Sequence, residues 1–237
     1  MNESTGSVFI VKRYVDKKQV NVFERENEIL QNIKHENIVQ YYGNDKDIKS
    51  NNYFIYLEYI SCGNLKTFIN QFGPLKETLI KLYLNQILSA LSYLHNEKHI
   101  AHRDIKCSNI LIDTNGTIKL TDFGCAEIDN NGSLQGLKGS LPWCAPEVVG
   151  GGKYGLKCDI WSLGCTLIEM GGILPWNRNI DNYLQFINLI GRSEEVPEIP
   201  AHFSKELKSF ISICLVRDVG KRADINILLN HPYVQKN

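Results

Sequence analysis

The sequence predicts an α+β fold of two lobes: a small antiparallel sheet with one helix, followed by a larger helical lobe. Three runs rich in β-branched and aromatic residues are typical of strands, namely residues 8–14, 38–42 and 53–59. Residues 20–34 carry apolar side chains at helical spacing. Ser61-Cys62-Gly63-Asn64 then breaks the pattern. We therefore expect a small lobe over residues 1–60 and a large lobe over residues 61–237.

The large lobe is predicted to be mainly helical. Apolar stripes or nearly continuous apolar runs indicate helices over residues 65–72, 76–97, 159–170, 204–216 and 222–230. The helix over residues 159–170 is apolar on every side, which predicts that it is buried. Residues 110–120 surround Asn115-Gly116 and predict a β-hairpin. Residues 129–144 are rich in Gly, Ser and Asn, which is typical of a mobile surface loop.

Composition excludes several classes of function. The 237 residues include 26 basic and 26 acidic side chains, so the formal net charge is zero. Such a balance gives no electrostatic reason to bind nucleic acid or an anionic membrane, and we expect neither partner. No apolar run reaches the length of a membrane span, and the N-terminus lacks the apolar region of a signal peptide. The seven cysteines have no Cys-x-x-Cys spacing, which favours free thiols and a cytoplasmic location.

One segment concentrates groups that carry chemistry. His102–Asn109 places a carboxylate, an ammonium and an amide at short spacing, and Asp122-Phe123-Gly124 adds a second carboxylate on a Gly turn. Such groups can hold a metal-bound triphosphate against a hydroxyl and accept the proton of that hydroxyl. Each triplet alone is common. The two in this order, separated by a predicted hairpin, form a specific signal.

Together with further motifs in the same order, these segments resemble a protein kinase over nearly the whole chain. The further motifs are Ile10-Val11-Lys12, Glu26, Ala145-Pro146-Glu147, Asp159–Gly164 and Arg222. Lys106, two positions after Asp104, resembles the serine/threonine branch. The segments Gly139–Glu147 and Leu229–Tyr233 are most similar to those of mitogen-activated protein kinase kinase kinases and their relatives.

The resemblance implies a two-lobed protein-kinase-like fold with a reduced N-terminal sheet. It also implies that ATP and Mg²⁺ are used to phosphorylate Ser or Thr in a protein substrate, such as a downstream kinase of a signalling relay. Asp104 is then the acceptor of the substrate's hydroxyl proton. Lys106 stabilises the charge of the transferred phosphate. Asn109 and Asp122 supply oxygen ligands to Mg²⁺.

The resemblance assigns Lys12 to the α- and β-phosphates of ATP. Glu26 is expected to pair with Lys12 and keep it aimed inward. Glu24 and Glu28 are the neighbouring alternatives to Glu26.

The lobe junction is expected to meet the adenine. The resemblance implies that the Glu58 carbonyl and the Ile60 amide bond to the base. It places Leu57 at the back of the pocket and Leu111 beneath the ring. Ile10 stands over the ring, where the family usually has Ala.

Other motif residues are implied to have structural or regulatory roles. His102 and Phe123 are expected to pack in an apolar stack with Leu30 and Tyr41. Glu147 is expected to pair with Arg222, and Asp159 is expected to anchor the backbone of the catalytic segment, His102–Asn109.

Arg103 is the residue that implies control by phosphorylation between Gly124 and Ala145, through an upstream kinase or autophosphorylation. That loop contains no Thr, and its hydroxyls are Ser133 and Ser140. Ser140 is expected to bond to Asp104 and Lys106 in the platform that presents the substrate. Ser133 is therefore the candidate regulatory site.

The sequence departs from the family before Lys12. Eleven residues precede Lys12, Gly6 is the only glycine among them, and the family's Gly-x-Gly-x-x-Gly is absent. Thr5-Gly6 resembles the turn just before the lysine strand. Three explanations are open: an incomplete version of a longer kinase, a complete but divergent kinase, and a pseudokinase or scaffold with weak phosphotransfer. Phosphotransfer to a small molecule is disfavoured, because Ala145-Pro146-Glu147 is a feature for presenting a peptide.

Overall fold

A small sheet with one helix forms the first part of the chain. The computed structural model describes residues 8–15, 19–47, 49–176 and 182–235, so the predicted turn at Thr5-Gly6 lies outside the described residues. Within them, three antiparallel strands pair in the order β1-β3-β2: β1 (Phe9–Tyr14), β2 (Tyr41–Asp47) and β3 (Asn52–Glu58). The helix α1 (Val20–Gln31) connects β1 to β2 and buries its Phe23, Glu26, Ile29 and Leu30 side chains.

The register between β1 and β3 decides which side chains of β1 share a face. The facing pairs are Ile10 with Leu57, Lys12 with Ile55, and Tyr14 with Tyr53. Because side chains alternate along a strand, Ile10, Lys12 and Tyr14 lie on one face of the sheet. The rings of Tyr14 and Phe23 make an edge contact with centroids 5.5 Å apart, which ties this face to α1.

The predicted second strand is displaced. We expected a strand over residues 38–42 and a loop after it, whereas β2 begins at Tyr41 and continues through the polar residues to Asp47. Ile38 instead forms an isolated parallel bridge with Leu120. β2 is an edge strand whose outer residues are exposed, so backbone pairing with β3 is sufficient and apolar alternation is not required.

Two short strand pairs surround the catalytic segment. β4 (Ile100–Ala101) pairs with β7 (Glu127–Ile128), and β5 (Ile110–Ile112) pairs with β6 (Ile118–Leu120) as the predicted hairpin. In its turn, Gly116 has a φ of 78°, a conformation that glycine adopts without steric cost. At its base, the amide of Thr121 donates to the carbonyl of Asn109 at 3.0 Å. The hairpin therefore brings the end of the catalytic segment beside Asp122.

The rest of the described chain is mainly helical, as predicted. The helices are α2 (Leu65–Phe72), α3 (Glu77–Ser92), α4 (Pro146–Val149), α5 (Lys157–Met170), α6 (Tyr183–Arg192), α7 (Lys205–Cys214), α8 (Ile225–Leu229) and α9 (Pro232–Gln235). A π-helical turn, Tyr93–Glu97, extends α3. All but the first residue of α5 is buried, so this helix is the centre of the large core. The sequence prediction missed α6, whose apolar side chains are mostly exposed or half-buried.

Two predictions from composition can be compared with the structure. All seven cysteines are free, which confirms the expectation of unpaired thiols. Among the described residues, no helix combines the length and the apolar character needed to cross a membrane.

Candidate active site

One buried carboxylate, that of Asp159, anchors the backbone of the catalytic segment through hydrogen bonds. Asp159, in the first turn of α5, accepts the amide of His102 and the amide of Arg103, each at 2.7 Å. It also lies 2.9 Å from Nε2 of His95. Burial opposes the charge of Asp159, but the hydrogen bond and charge of His95 outweigh it and lower the pKa of the Asp159 carboxyl. The predicted anchoring role is confirmed, and it fixes the position of Asp104.

Asp104 is the centre of a hydrogen-bonded group of side chains. Its Oδ1 accepts the amide of Ser140 at 2.9 Å, and its Oδ2 accepts Lys106 Nζ at 2.8 Å. Asn109 Nδ2 donates to the same Oδ2 at 2.9 Å. Lys106 Nζ also bonds Ser140 Oγ at 2.5 Å. The expected contacts of Ser140 with Asp104 and Lys106 are thus confirmed, and the Asp104 carboxyl group lies beside the Lys106 side chain.

A second cluster joins β1, α1 and the turn after β6. Lys12 Nζ lies 2.8 and 2.9 Å from the two carboxylate oxygens of Glu26 and 2.7 Å from Oδ1 of Asp122. Glu26 is 1% exposed, whereas Glu24 and Glu28 are exposed. The pairing predicted for Glu26 is therefore confirmed over its two neighbours.

The charges in this cluster support one another. Burial disfavours the charge on Lys12, but Glu26 and Asp122 outweigh it and raise the pKa of the Lys12 ammonium. Burial likewise opposes the charge on Asp122, yet Lys12 lowers the pKa of that carboxyl. The Lys12 ammonium and the Asp122 carboxylate are accordingly ionised near neutral pH, as phosphate binding through a cation requires.

Tyr14 is a site residue that sequence reasoning missed. Its hydroxyl donates to Oε2 of Glu26, and the Lys12 ammonium lies 5.7 Å from the centroid of its ring. Tyr14 is two positions after Lys12 on β1, so strand alternation alone was the signal that could have indicated it. The hydroxyl gives the buried Glu26 carboxylate a second donor and restrains its orientation.

Gly124 allows this cluster to close. A Cβ added at Gly124 would lie 3.2 Å from a carboxylate oxygen of Glu26 and 3.6 Å from Lys12 Nζ. A larger side chain would therefore compete with the carboxylate for space. Close packing against Glu26 and Lys12 therefore explains why a glycine follows Asp122-Phe123.

Two oxygen donors in this region are of the kind that Mg²⁺ prefers. The Asp122 carboxylate and the Asn109 amide oxygen are hard ligands, and the Asn109 amide nitrogen is already used to bond Asp104. The described residues contain no group of three or more His, Cys, Asp or Glu side chains able to hold a metal. Mg²⁺ commonly takes only one or two protein ligands and completes its shell with phosphate and water. The donor set therefore fits a magnesium ion bound together with a nucleotide phosphate.

The residues predicted to meet adenine lie on β1, β3 and β5, except Ile60, which comes two positions after the end of β3. Ile10 pairs with Leu57 across the sheet, on the same face as Lys12, and is 43% exposed. Leu57 is buried and Leu111 half-buried. The Glu58 side chain is occupied elsewhere, because its carboxylate lies 3.1 Å from Lys119 Nζ and 3.1 Å from the amide of Gln40. The roles of the Glu58 carbonyl and the Ile60 amide stay predictions.

The predicted packing around His102 is found in part. Its ring makes an edge contact with Phe123, with centroids 4.8 Å apart. Burial is the main cause of the lowered pKa of His102, which keeps the ring neutral. Leu30 is fully buried, whereas Tyr41 is half-buried and its hydroxyl donates to Asn27 at 2.8 Å.

The predicted ion pair of the large lobe is confirmed. Arg222 donates to both carboxylate oxygens of Glu147, at 2.6 and 2.8 Å. The guanidinium also lies 5.2 Å from the centroid of the Trp161 ring. This pair joins α4, just after the loop between Gly124 and Ala145, to the chain before α8.

Arg103 has a partner that the sequence did not suggest. We expected a phosphate on the following loop to bind it, with Ser133 as the candidate. In the structure its Nη2 lies 2.6 Å from the carboxylate of Glu127. Ser133 is exposed, and its amide donates to Asp129 at 3.1 Å.

The fold and these contacts define a class of protein, and comparison with known sequences agrees with it. A family model described as a protein kinase domain matches residues 1–234. The chain therefore belongs to the protein kinase domain family. Membership implies ATP as the phosphate donor and typically Mg²⁺.

Three of the similar relatives share one description. Mitogen-activated protein kinase kinase kinase A of Dictyostelium discoideum is 38% identical over 99% of this chain and 26% of its own length. Mitogen-activated protein kinase kinase kinase 1a of Physcomitrium patens is 41% identical over 97% of this chain and 31% of its own length. A mitogen-activated protein kinase kinase kinase 3 of Arabidopsis thaliana is 41% identical over 92% of this chain and 35% of its own length. The chain thus spans about a quarter to a third of these relatives.

Proposed function

We propose that this chain is a serine/threonine protein kinase that transfers the terminal phosphate of ATP to a hydroxyl of a protein substrate. The observation that carries the proposal is the connection of two charged clusters. Lys12, Glu26 and Asp122 form one of them, and Asp104 and Lys106 form the other. The hydrogen bond from Thr121 to Asn109 links the segments that carry them.

Each side chain of the catalytic segment has a chemical role in the proposal. Asp104 accepts the proton of the substrate hydroxyl, and its contact with the Ser140 amide keeps one carboxylate oxygen fixed. Lys106, bonded to both Asp104 and Ser140, neutralises charge on the transferred phosphate. Asn109 and Asp122 hold Mg²⁺, which supplies charge neutralisation on the phosphates when it is bound.

The nucleotide would lie against the sheet face that carries Ile10 and Lys12. Lys12 then binds the α- and β-phosphates while Glu26 keeps its ammonium in place. Leu57 and Leu111 contact the adenine, and the backbone of Glu58 and Ile60 bonds its edge. Residues 1–60 and 61–237 form the two lobes on either side of this nucleotide.

The relatives suggest the kind of pathway. Their names describe enzymes that phosphorylate a mitogen-activated protein kinase kinase. We therefore propose that the substrate of this chain is a downstream protein kinase of a mitogen-activated cascade. Seven free thiols are in keeping with a cytoplasmic location. Activation by an upstream kinase stays a prediction, because Arg103 already has an internal partner in Glu127.

The test is phosphate transfer from labelled ATP to a mixed protein substrate such as dephosphorylated casein. Asp104→Asn keeps the shape of the side chain and removes the proton acceptor, so incorporation should fall by roughly 10²- to 10⁴-fold. Asp45→Asn, an exposed carboxylate on β2, is the matched control and should leave the rate unchanged. Equal incorporation by the unsubstituted chain and the Asp104 variant would refute the enzyme proposal.

A non-catalytic scaffold is the alternative function that the sequence analysis left open. The intact contacts of Lys12, Asp104 and Asp122 speak against it. The two are separated by thermal unfolding with millimolar Mg²⁺-ATP. A nucleotide at 100 times its dissociation constant stabilises a protein by about 2.7 kcal/mol. An unchanged Tm would favour the scaffold.

A further inference from the structure

Arg103 is a buried cation inside the catalytic segment: two nitrogens of its guanidinium donate hydrogen bonds within the chain, and the third, Nη2, is in charge contact with a carboxylate but makes no hydrogen bond of regular geometry. Its side chain is 2% exposed. Nε donates to the carbonyl of Cys125 at 2.5 Å, and Nη1 donates to the hydroxyl of Tyr154 at 3.1 Å. Nη2 lies 2.6 Å from Oε2 of Glu127. Because an unpaired buried cation is strongly unfavourable, the carboxylate of Glu127 is the contact that allows Arg103 to stay in this position.

Backbone pairing fixes the position of Glu127. It lies on β7, directly opposite Ala101 of β4, which is the residue before His102. Its Oε2 is also 3.9 Å from Nη1 of Arg25 on α1, the residue before Glu26. One carboxylate therefore lies between the segment that holds Asp104 and the helix that holds the partner of Lys12.

We propose that Glu127 is a positioning residue that supplies, from within the chain, the anion that Arg103 requires. On this proposal, the catalytic segment and α1 keep their places without a phosphate on the loop. The proposal rests on the proposed kinase function and concerns how that activity is maintained. A loop phosphate would compete with the Glu127 carboxylate for the same nitrogen of Arg103, and two anions at one cation repel each other.

The loop itself offers little to such a phosphate. Its hydroxyls are Ser133 and Ser140. Ser140 is already bonded to Lys106 and, through its amide, to Asp104. The amide of Ser133 bonds the carboxylate of Asp129, so a phosphate on Ser133 would lie close to another negative charge.

The experiment compares steady-state kinetics after phosphatase treatment. The unsubstituted chain and Ser133→Ala should keep kcat within about twofold of the untreated value, since no phosphate is needed. Glu127→Gln should lower kcat by about tenfold or more, a change of about 1.4 kcal/mol in the barrier. KM for ATP should change by less than about threefold, because Lys12 keeps its own partners.

Two variants control for general effects. Glu24→Gln removes an exposed carboxylate from α1, next to Arg25, and should behave like the unsubstituted chain. Glu127→Asp keeps the charge on a shorter side chain and should recover kcat to within about threefold. A loss of stability without a specific role would instead lower kcat and the active fraction alike in Glu127→Asp and Glu127→Gln.

The proposal is overturned if phosphatase treatment lowers the activity of the unsubstituted chain by about tenfold, or if Glu127→Gln keeps full kcat. Failure of the kinase function is recognised separately, because Asp104→Asn would then match the unsubstituted chain. Amide hydrogen exchange still tests the positioning in that case. Residues 101–104 and 125–128 should exchange about tenfold faster in Glu127→Gln than in Glu24→Gln, and equal exchange would reject it.

Discussion

Replacing Tyr14 by Phe removes one hydroxyl next to the charged cluster and leaves the ring in place. The ring should keep its edge contact with Phe23, so the packing of β1 on α1 is preserved. What is lost is the hydrogen bond to Oε2 of Glu26. A hydrogen bond to a charged group contributes about 1.5–3 kcal/mol, and the free energy of unfolding should fall by that amount.

The effect on catalysis should be smaller than the effect on stability. Lys12 still bonds both carboxylate oxygens of Glu26 and one of Asp122, so its ammonium is loosened rather than released. We expect kcat/KM for ATP to fall by no more than about tenfold, which corresponds to about 1.4 kcal/mol. Urea unfolding and an ATP titration measure the two quantities on the same preparations.

Tyr53 provides the matched control. It faces Tyr14 across the strands, and its ring also packs on Phe23, with centroids 5.1 Å apart. Tyr53→Phe removes a hydroxyl from the half-buried residue that faces Tyr14, without touching Glu26. If Tyr14→Phe and Tyr53→Phe unfold at the same urea concentration, the positioning of Glu26 by Tyr14 is refuted.

Three further predictions concern the large lobe. Glu147→Gln leaves the buried Arg222 without its anion and should lower the free energy of unfolding by about 3–5 kcal/mol in urea titrations; a change below about 1 kcal/mol, typical of an exposed pair, would contradict burial of this one. Burial lowers the pKa of His102 in the folded chain below its value of 6.5 in the unfolded chain. Below pH 6.5, the unfolded chain therefore binds a proton at His102 that the folded chain does not bind. Stability should fall with acidification by up to about 1.4 kcal/mol per pH unit more than in His102→Phe, and parallel pH profiles of urea unfolding would be the negative result. Gly139→Ala places a Cβ 2.1 Å from a carbonyl oxygen of the catalytic segment and should abolish most kinase activity, whereas Gly136→Ala, with a similar positive φ and open space, should retain it.

The catalytic motifs were predictable because their chemistry constrains both residue type and spacing. Asp104, Lys106 and Asn109 are at most five positions apart, so a short segment brings them together in any fold that keeps its conformation. The hairpin that follows was also predictable from local turn chemistry. It returns the chain so that Asp122 lies near Asn109, as the resemblance required.

Other contacts could not be inferred from local pattern. Arg103 was expected to bind a phosphate on the following loop. Its contact with Glu127 depends instead on the pairing of β4 with β7, which the local sequence pattern does not indicate. Tyr14 has the sequence pattern of an ordinary strand aromatic. Only the position of β1 beside α1 shows that its hydroxyl donates to Glu26. β2 was displaced in the prediction because an edge strand pairs through its backbone and carries no apolar alternation.

The sequence by itself determined the family, most of the order of helices and strands, and the identity of the groups that carry the chemistry. These follow from residue types at fixed short distances along the chain, where covalent geometry limits the possibilities. The resemblance also implied the pairs Lys12–Glu26 and Glu147–Arg222, which the structure contains. Only the tertiary structure decided the remaining charge contacts, Lys12–Asp122 and Arg103–Glu127. Burial makes such pairs obligatory, since a buried charge needs an opposite one, but packing selects the partner.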